Sequence, residues 1–225
     1  MRTFIPNLLT VSNLIFGVFS LIATFQGQYI YAALWIVAAM IADGLDGRAA
    51  RYFGVSSEFG KELDSLCDLA SFGVAPAILA YVFLLKDFGW LGSLVAAAFA
   101  TCGALRLARF NVNVGTVKGY FMGLPIPAGG CVVATSVLLG TKLSATACLL
   151  MVAVFAYLMV STIKYPDFKG KGEKIRVIPS ILALALAGYI VFLSPEALLF
   201  AAFFTYAVFG ILNTIFALFD SKVAS

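Results

Sequence analysis

Eight apolar stretches follow one another along this chain with only short polar connections, at roughly residues 7–26, 30–53, 58–85, 90–110, 125–141, 144–164, 178–194 and 196–219. A helix that crosses a bilayer needs about 20 apolar residues. Inside lipid each backbone polar group must be satisfied within the segment, so such stretches are expected to be helices. The fifth and seventh are short, which sets the expectation at six to eight spans. The rest of the composition agrees: 62% of residues are hydrophobic, 12% are charged and the mean hydropathy is +1.02. That is the profile of a membrane protein rather than of a soluble core. The expectation is an all-α, polytopic membrane helical bundle forming one domain over residues 1–225. No repeat of 20–50 residues and no appended soluble domain is visible. The start, MRTFIPNLLTVSNL, has no A-x-A-like cleavage site and reads as a first membrane helix, not a removed signal peptide.

The basic residues orient the bundle. With the N-terminus cytoplasmic, 13 of the 15 Lys and Arg residues fall on the inner side, and only Lys86 and Lys142 fall outside. They are Arg2, Arg48, Arg51, Lys61, Arg106, Arg109, Lys118, Lys164, Lys169, Lys171, Lys174, Arg176 and Lys222. This asymmetry predicts an even number of spans with both termini cytoplasmic. The net charge of +4 then reads as orientation and attraction to anionic membrane lipid, not as nucleic-acid binding. Histidine is absent, which excludes histidine catalysis and histidine metal ligands. Cys67, Cys102, Cys131 and Cys148 are scattered in apolar context, with neither zinc spacing nor a disulfide framework. They read as small buried hydrophobes.

Against that background the stretch from Asp43 to Asp68 is exceptional. It holds six of the 11 acidic residues: Asp43, Asp46, Glu58, Glu62, Asp64 and Asp68. A charge in a membrane segment costs roughly 2.5–3.5 kcal/mol on insertion scales, so such a cluster points to function. Asp43 and Asp46 are three apart and Asp64 and Asp68 four apart, so on helices each pair shares a face. Antiparallel helices joined near Gly54–Ser57 would bring all four carboxylates together. Four anions in low dielectric need a counter-charge. All-carboxylate ligation suits a hard divalent cation, Mg²⁺, Mn²⁺ or Ca²⁺, and not zinc. Gly47 and Gly60 leave room for a phosphate or for the other helix. Ser56 or Ser57 can cap the third helix, with Glu58 in its first turn. Pro76 is expected to kink that helix mid-membrane, freeing a carbonyl and widening a cavity.

The order Asp43-xx-Asp46-Gly47-xx-Ala50-Arg51, eight residues, then Gly60-xxx-Asp64-xxx-Asp68 resembles the signature of the CDP-alcohol phosphatidyltransferase family at every defined position. The IPNLLT opening, EFGKELDSLCDLASFGVAPA, GALRLARFN, FMGLPIP and MVSTIKYPDFK are similar to the phosphatidylserine synthase branch of that family. The resemblance covers nearly the first three quarters of the chain. It implies a catalytic core over about residues 1–165, with helices 178–219 as scaffold or dimer packing. It also implies CDP-diacylglycerol as donor, L-serine as acceptor, and a homodimer in the cell membrane with its active site at the cytoplasmic face. One or two divalent cations would be held by Asp43, Asp46, Asp64 and Asp68, and Asp68 would be the general base. Direct transfer is implied rather than a covalent enzyme intermediate.

The nucleotide lipid would meet Asn7, Thr10, Asp46, Gly47, Arg51, Ser57 and Gly60. For Asn7 a plain helix cap competes with a cytidine contact, and for Arg51 membrane anchoring competes with bidentate phosphate binding. Arg48 reads as an anchor. Asn13, deeper in the first span, requires a hydrogen-bond partner. Arg106 and Arg109 lie three apart on one helical face and are candidates for the serine carboxylate, with Glu62 or a backbone carbonyl for its ammonium. Within the family, glycerol 3-phosphate or inositol phosphate are competing acceptors, and both want a dense cationic pocket, for which Arg106, Arg109 and Lys118 are available. A cation-coupled transporter is the alternative from another class. It would be expected to hold polar groups near the bilayer midplane on broken helices.

Overall fold

The computed structural model of the chain describes residues 4–54, 57–113, 120–166 and 176–223. Arg2, Ser56, Lys118, Lys169, Lys171 and Lys174, each given a part above, lie outside the described residues. Within them, five helices are long and apolar enough to cross a membrane: Pro6–Phe25, Tyr29–Phe53, Glu58–Phe83, Trp90–Asn113 and Pro195–Phe216. Three more apolar helices, Ile126–Lys142, Ala145–Val160 and Val177–Leu193, are shorter. The architecture is that of an integral-membrane helical bundle.

The first two helices, α1 (Phe4–Phe25) and α2 (Tyr29–Phe53), form an antiparallel hairpin. α2 ends where Gly54, in the left-handed conformation, donates its N–H to the Ala50 and Arg51 carbonyls. Ser57 then caps α3 (Glu58–Asp68) by accepting the Gly60 N–H at 3.0 Å. The span continues through a π-helical turn, Leu69–Val74, into α4 (Ala75–Phe83). Pro76 has no N–H for the Phe72 carbonyl, and the widened turn absorbs that break. A cavity of about 280 Å³ lies along one side of this turn, lined by Val74, Ala77, Ile78 and Tyr81 with Ser93, Ala96, Ala97 and Ala100, in line with the sequence expectation, while the other side is closely packed. The later helix Ile126–Thr135 passes so close that a Cβ on Gly130 would come within 2.5 Å of the Phe72 oxygen. α1 also approaches at Gly17, opposite Ser71. Small residues at such crossings let helix backbones meet without a hydrophobic driving force from lipid.

α5 (Trp90–Asn113) is followed by a ribbon strand, β1 (Tyr120–Met122), and by α6 (Ile126–Thr135). Every residue of α6 apart from Pro127 is buried, so this helix forms the axis of the bundle and need not be long enough to span lipid itself. Phe72, Phe99, Leu79, Val132, Val133 and Met159 pack into the core around it. α7 (Ala145–Val160) lies against α5 and leads into β2 (Lys164–Pro166). β1 and β2 pair antiparallel with Phe121 opposite Tyr165. This short ribbon leaves the all-α class standing, and it escaped the sequence because three-residue strands are too short to show a period of two. The hairpin of α8 (Val177–Leu193) and α9 (Leu198–Val223) completes the bundle, with α9 against α6 and β2. Phe25, Trp90 and Phe192 are 75%, 77% and 84% exposed, which suits a lipid-facing belt and not a watery surface. All four cysteines are free thiols.

Candidate active site

The site forms where the C-terminal half of α2 faces the C-terminal half of α3. A three-residue step on α2 and a four-residue step on α3, each close to one turn, aim their carboxylates towards one gap. Oxygens of Asp43, Asp64 and Asp68 all lie within 4.8 Å of one another. Asp68 is buried, the other two are half-buried, and Asp64 Oδ1 is enclosed without a hydrogen-bond partner. Three anions this close, with an orphaned oxygen among them, are the donor set for a hard divalent cation. The cluster can therefore hold a metal ion. Asp46 stands beside this trio. Its Oδ2 accepts the Thr10 hydroxyl at 2.7 Å. The Pro6 carbonyl also lies 3.1 Å from that hydroxyl, but the charged oxygen is the stronger acceptor.

Asn13 finds the partner its depth demanded. Its Nδ2 donates to Asp68 Oδ1 at 3.0 Å, and its backbone oxygen accepts the Ser71 hydroxyl at 2.9 Å. The site role of Asn13 was missed from sequence. Its signal was the three-residue spacing of Asn7, Thr10 and Asn13, a polar stripe on an apolar helix.

A cleft of about 440 Å³ opens from Asp64 between α1, α2 and α3. All seven residues nominated for the nucleotide lipid, Asn7, Thr10, Asp46, Gly47, Arg51, Ser57 and Gly60, line it, together with Lys61. Space at Gly60 is tight, since a Cβ there would stand 3.0 Å from Ser57 Oγ and 3.5 Å from Asn7 Oδ1. Arg48 is exposed and does not line the cleft, as an anchor would be.

The acceptor residues divide. Arg106 is buried, faces the charges of Asp68 and Asp43, and rests on the rings of Phe110 and Phe121 at 5.2 and 5.9 Å. Arg109 does something else. Its Nη1 donates to the Val160 carbonyl at 2.8 Å, and its Nη2 lies 2.8, 3.1 and 3.0 Å from the carbonyls of Met122, Met159 and Ser161. The guanidinium is spent on backbone oxygens that tie α5 to β1 and the end of α7, so Arg109 is a structural pin and not a carboxylate ligand. Glu62 is exposed and lies outside the cleft. It is two residues from Asp64, about 200° around the helix, so the aspartates and Glu62 face opposite ways.

An apolar helical bundle with an oxygen-only carboxylate cluster, able to hold a cation and adjoining a cleft, is the build of an integral-membrane protein with a candidate metal site. The family model for CDP-alcohol phosphatidyltransferases matches residues 3–163, and the chain belongs to that family. It is 38% identical over 218 residues to a CDP-diacylglycerol–serine O-phosphatidyltransferase of Helicobacter pylori, covering 94% of this chain and 91% of that one. A Bacillus subtilis protein of the same name is 39% identical over 74% of this chain and 92% of its own. An archaetidylserine synthase of Methanothermobacter thermautotrophicus is 40% identical over 75% of this chain and 72% of its own.

Proposed function

We propose that this chain transfers the phosphatidyl group of CDP-diacylglycerol to the hydroxyl of L-serine and releases CMP. The observation that carries this is the meeting of three carboxylates, one of which, Asp64, also lines a cleft shared by all seven nominated donor-site residues. The named relatives supply the acceptor: two are serine transferases and the third makes a serine lipid, so serine is shared while the lipid varies.

The cleft would take the CDP moiety, with Arg51 and Lys61 supplying positive charge to its phosphates. Thr10 holds Asp46 in place. Asp43, Asp64 and Asp68, with Asp46 adjacent, would hold one or two Mg²⁺ or Mn²⁺ ions (Ca²⁺ has the same ligand preference). A cation bound there neutralises the pyrophosphate and the leaving CMP. Asp68 takes the proton of the serine hydroxyl as the serine oxygen–phosphorus bond forms and the phosphorus–oxygen bond to CMP breaks. Asn13 Nδ2 fixes one oxygen of Asp68, leaving the other for that proton. A carboxylate is a weak base for an alcohol, so orientation has to supply much of the rate. Transfer is direct in this reading.

Arg109 bears on the acceptor. With its fork committed to four carbonyls, Arg106 is the guanidinium left facing the aspartates. Among the described residues that leaves one such cation, which suits a carboxylate better than the phosphate dianion of glycerol 3-phosphate or inositol phosphate. The transporter reading gains nothing from the similar proteins, which are named as lipid transferases and synthases. In the same proposal both termini and the site face the cytoplasm, residues 1–165 form the catalytic core, and helices 178–219 serve as scaffold or dimer contact.

The test is CMP release by the purified protein from CDP-diacylglycerol with Mn²⁺ or Mg²⁺, comparing serine, glycerol 3-phosphate, inositol phosphate and water. Release only with serine is expected, and release only with a phosphorylated acceptor would sink the serine assignment. Thr10→Val should raise the KM for CDP-diacylglycerol roughly tenfold by freeing Asp46 while leaving the serine KM near wild type, because a hydrogen bond to a charged group is worth about 1.5–3 kcal/mol. Equal effects on both KM values would remove Thr10 from the donor site.

A further inference from the structure

The geometry points to a two-donor site for the acceptor's carboxylate, made by Arg106 and Tyr165, which makes the β1–β2 ribbon the carrier of acceptor specificity. This rests on the serine-transfer reading above. Arg106 is only 6% exposed, and its Nε has no hydrogen-bond partner. The faces of Phe110 and Phe121 hold the cation but accept no hydrogen bond in the guanidinium plane. A buried guanidinium with an open donor is a place for a planar anion.

The second donor comes from the ribbon. Phe121 and Tyr165 are directly opposite each other, and opposed residues of an antiparallel pair project from the same face. Because Phe121 packs on Arg106, Tyr165 is turned to Arg106's side. Tyr165 is completely buried, and its hydroxyl also lacks a partner. Its ring is held from behind by Tyr206 of α9, with centroids 5.9 Å apart, and by Gly210, where any Cβ would run into the Tyr165 ring. Tyr206, whose ring meets that of Tyr165, is in turn among the groups whose charge Arg106 feels. Two enclosed donors without acceptors thus share one side of the ribbon, next to the aspartates that Arg106 faces. A carboxylate, with two oxygens and one charge, satisfies both. α9 then does more than scaffold: through Tyr206 and Gly210 it sets Tyr165 in place.

The experiment measures CMP release by the full-length purified protein at varied L-serine and varied CDP-diacylglycerol, for wild type, Tyr165→Phe and Arg106→Lys. Serinamide, which keeps the hydroxyl and amine but lacks the carboxylate, is the comparison acceptor. Tyr165→Phe is expected to raise the serine KM roughly tenfold, the effect of one lost hydrogen bond to a charged group, with the CDP-diacylglycerol KM unchanged. Arg106→Lys should raise the serine KM further, and both variants should discriminate less against serinamide than wild type does. The unchanged donor KM also reports an intact fold, and a hydroxyl with a merely structural role would not split the two constants. A serine KM unaltered in Tyr165→Phe, or wild type using serinamide as well as serine, overturns this site while leaving serine transfer standing. CMP release with water or a phosphorylated acceptor but none with serine overturns the transfer reading and this site together.

Discussion

Asp68→Asn is expected to lower serine-dependent CMP release by about 10²–10⁴-fold, the range lost with a general base. The asparagine keeps the shape and can still accept from Asn13 Nδ2 through its carbonyl oxygen. It cannot take a proton, and it offers a weaker ligand to a cation shared with Asp43 and Asp64. Stability should move the other way. Asp68 is buried beside the like charges of those two residues, so without divalent cation the neutral side chain relieves repulsion. In EDTA the variant should melt no lower than wild type, and added Mn²⁺ should stabilise it less. Low activity with an unimpaired apo Tm separates a chemical defect from a folding one. Retention of the wild-type rate within tenfold would remove Asp68 from the reaction.

The largest expected effect on folding lies at Gly123, outside the motif. Gly123 has φ +79°, where a side chain is strained. A Cβ there would also come within 2.6 Å of Arg109 Nη2 and within 3.0 Å of the Ser161 oxygen, and it would overlap the Met159 oxygen. Gly123→Ala therefore forces the guanidinium off its carbonyls. Backbone strain costs about 1–3 kcal/mol, and each polar group left unpaired about the same. The sum, roughly 4 kcal/mol or more, is a large part of a typical stability of about 5–15 kcal/mol. The expected result is little monodisperse protein on size exclusion and a strongly lowered Tm. Gly27→Ala is the control, with φ +73° but nothing within 4 Å of a Cβ. It should cost only the backbone strain. Equal behaviour of the two variants would show that the Arg109 pin contributes nothing.

The two arginines of α5 illustrate the limit of sequence reading. Arg106 and Arg109 are the same residue type three positions apart, and helix geometry assigned them one face and one task. The fold separates them, because the end of α5 meets the carbonyl ends of α7 and β1, residues some 13 to 52 positions further along. No local pattern carries that contact. Glu62 is different, since two residues from Asp64 already places it on the far side of the helix. The buried Tyr165 could not be foreseen, since its environment is made by α9, whose sequence carries no motif.

What the sequence determined by itself was the part governed by local spacing and by the solvent. Lipid requires helices, so apolar length alone marked the membrane segments; steps of three and four residues alone put Asp43 with Asp46, and Asp64 with Asp68, on common helix faces, of which Asp43, Asp64 and Asp68 close into one gap. What tertiary structure decided was which polar groups spend themselves on the protein. Thr10 on Asp46, Asn13 on Asp68 and Arg109 on four carbonyls are pairings between distant segments, set by packing around the buried helix α6. A buried polar group takes whatever partner the packed bundle brings within about 3 Å, and that is a property of the whole fold and not of the neighbouring residues.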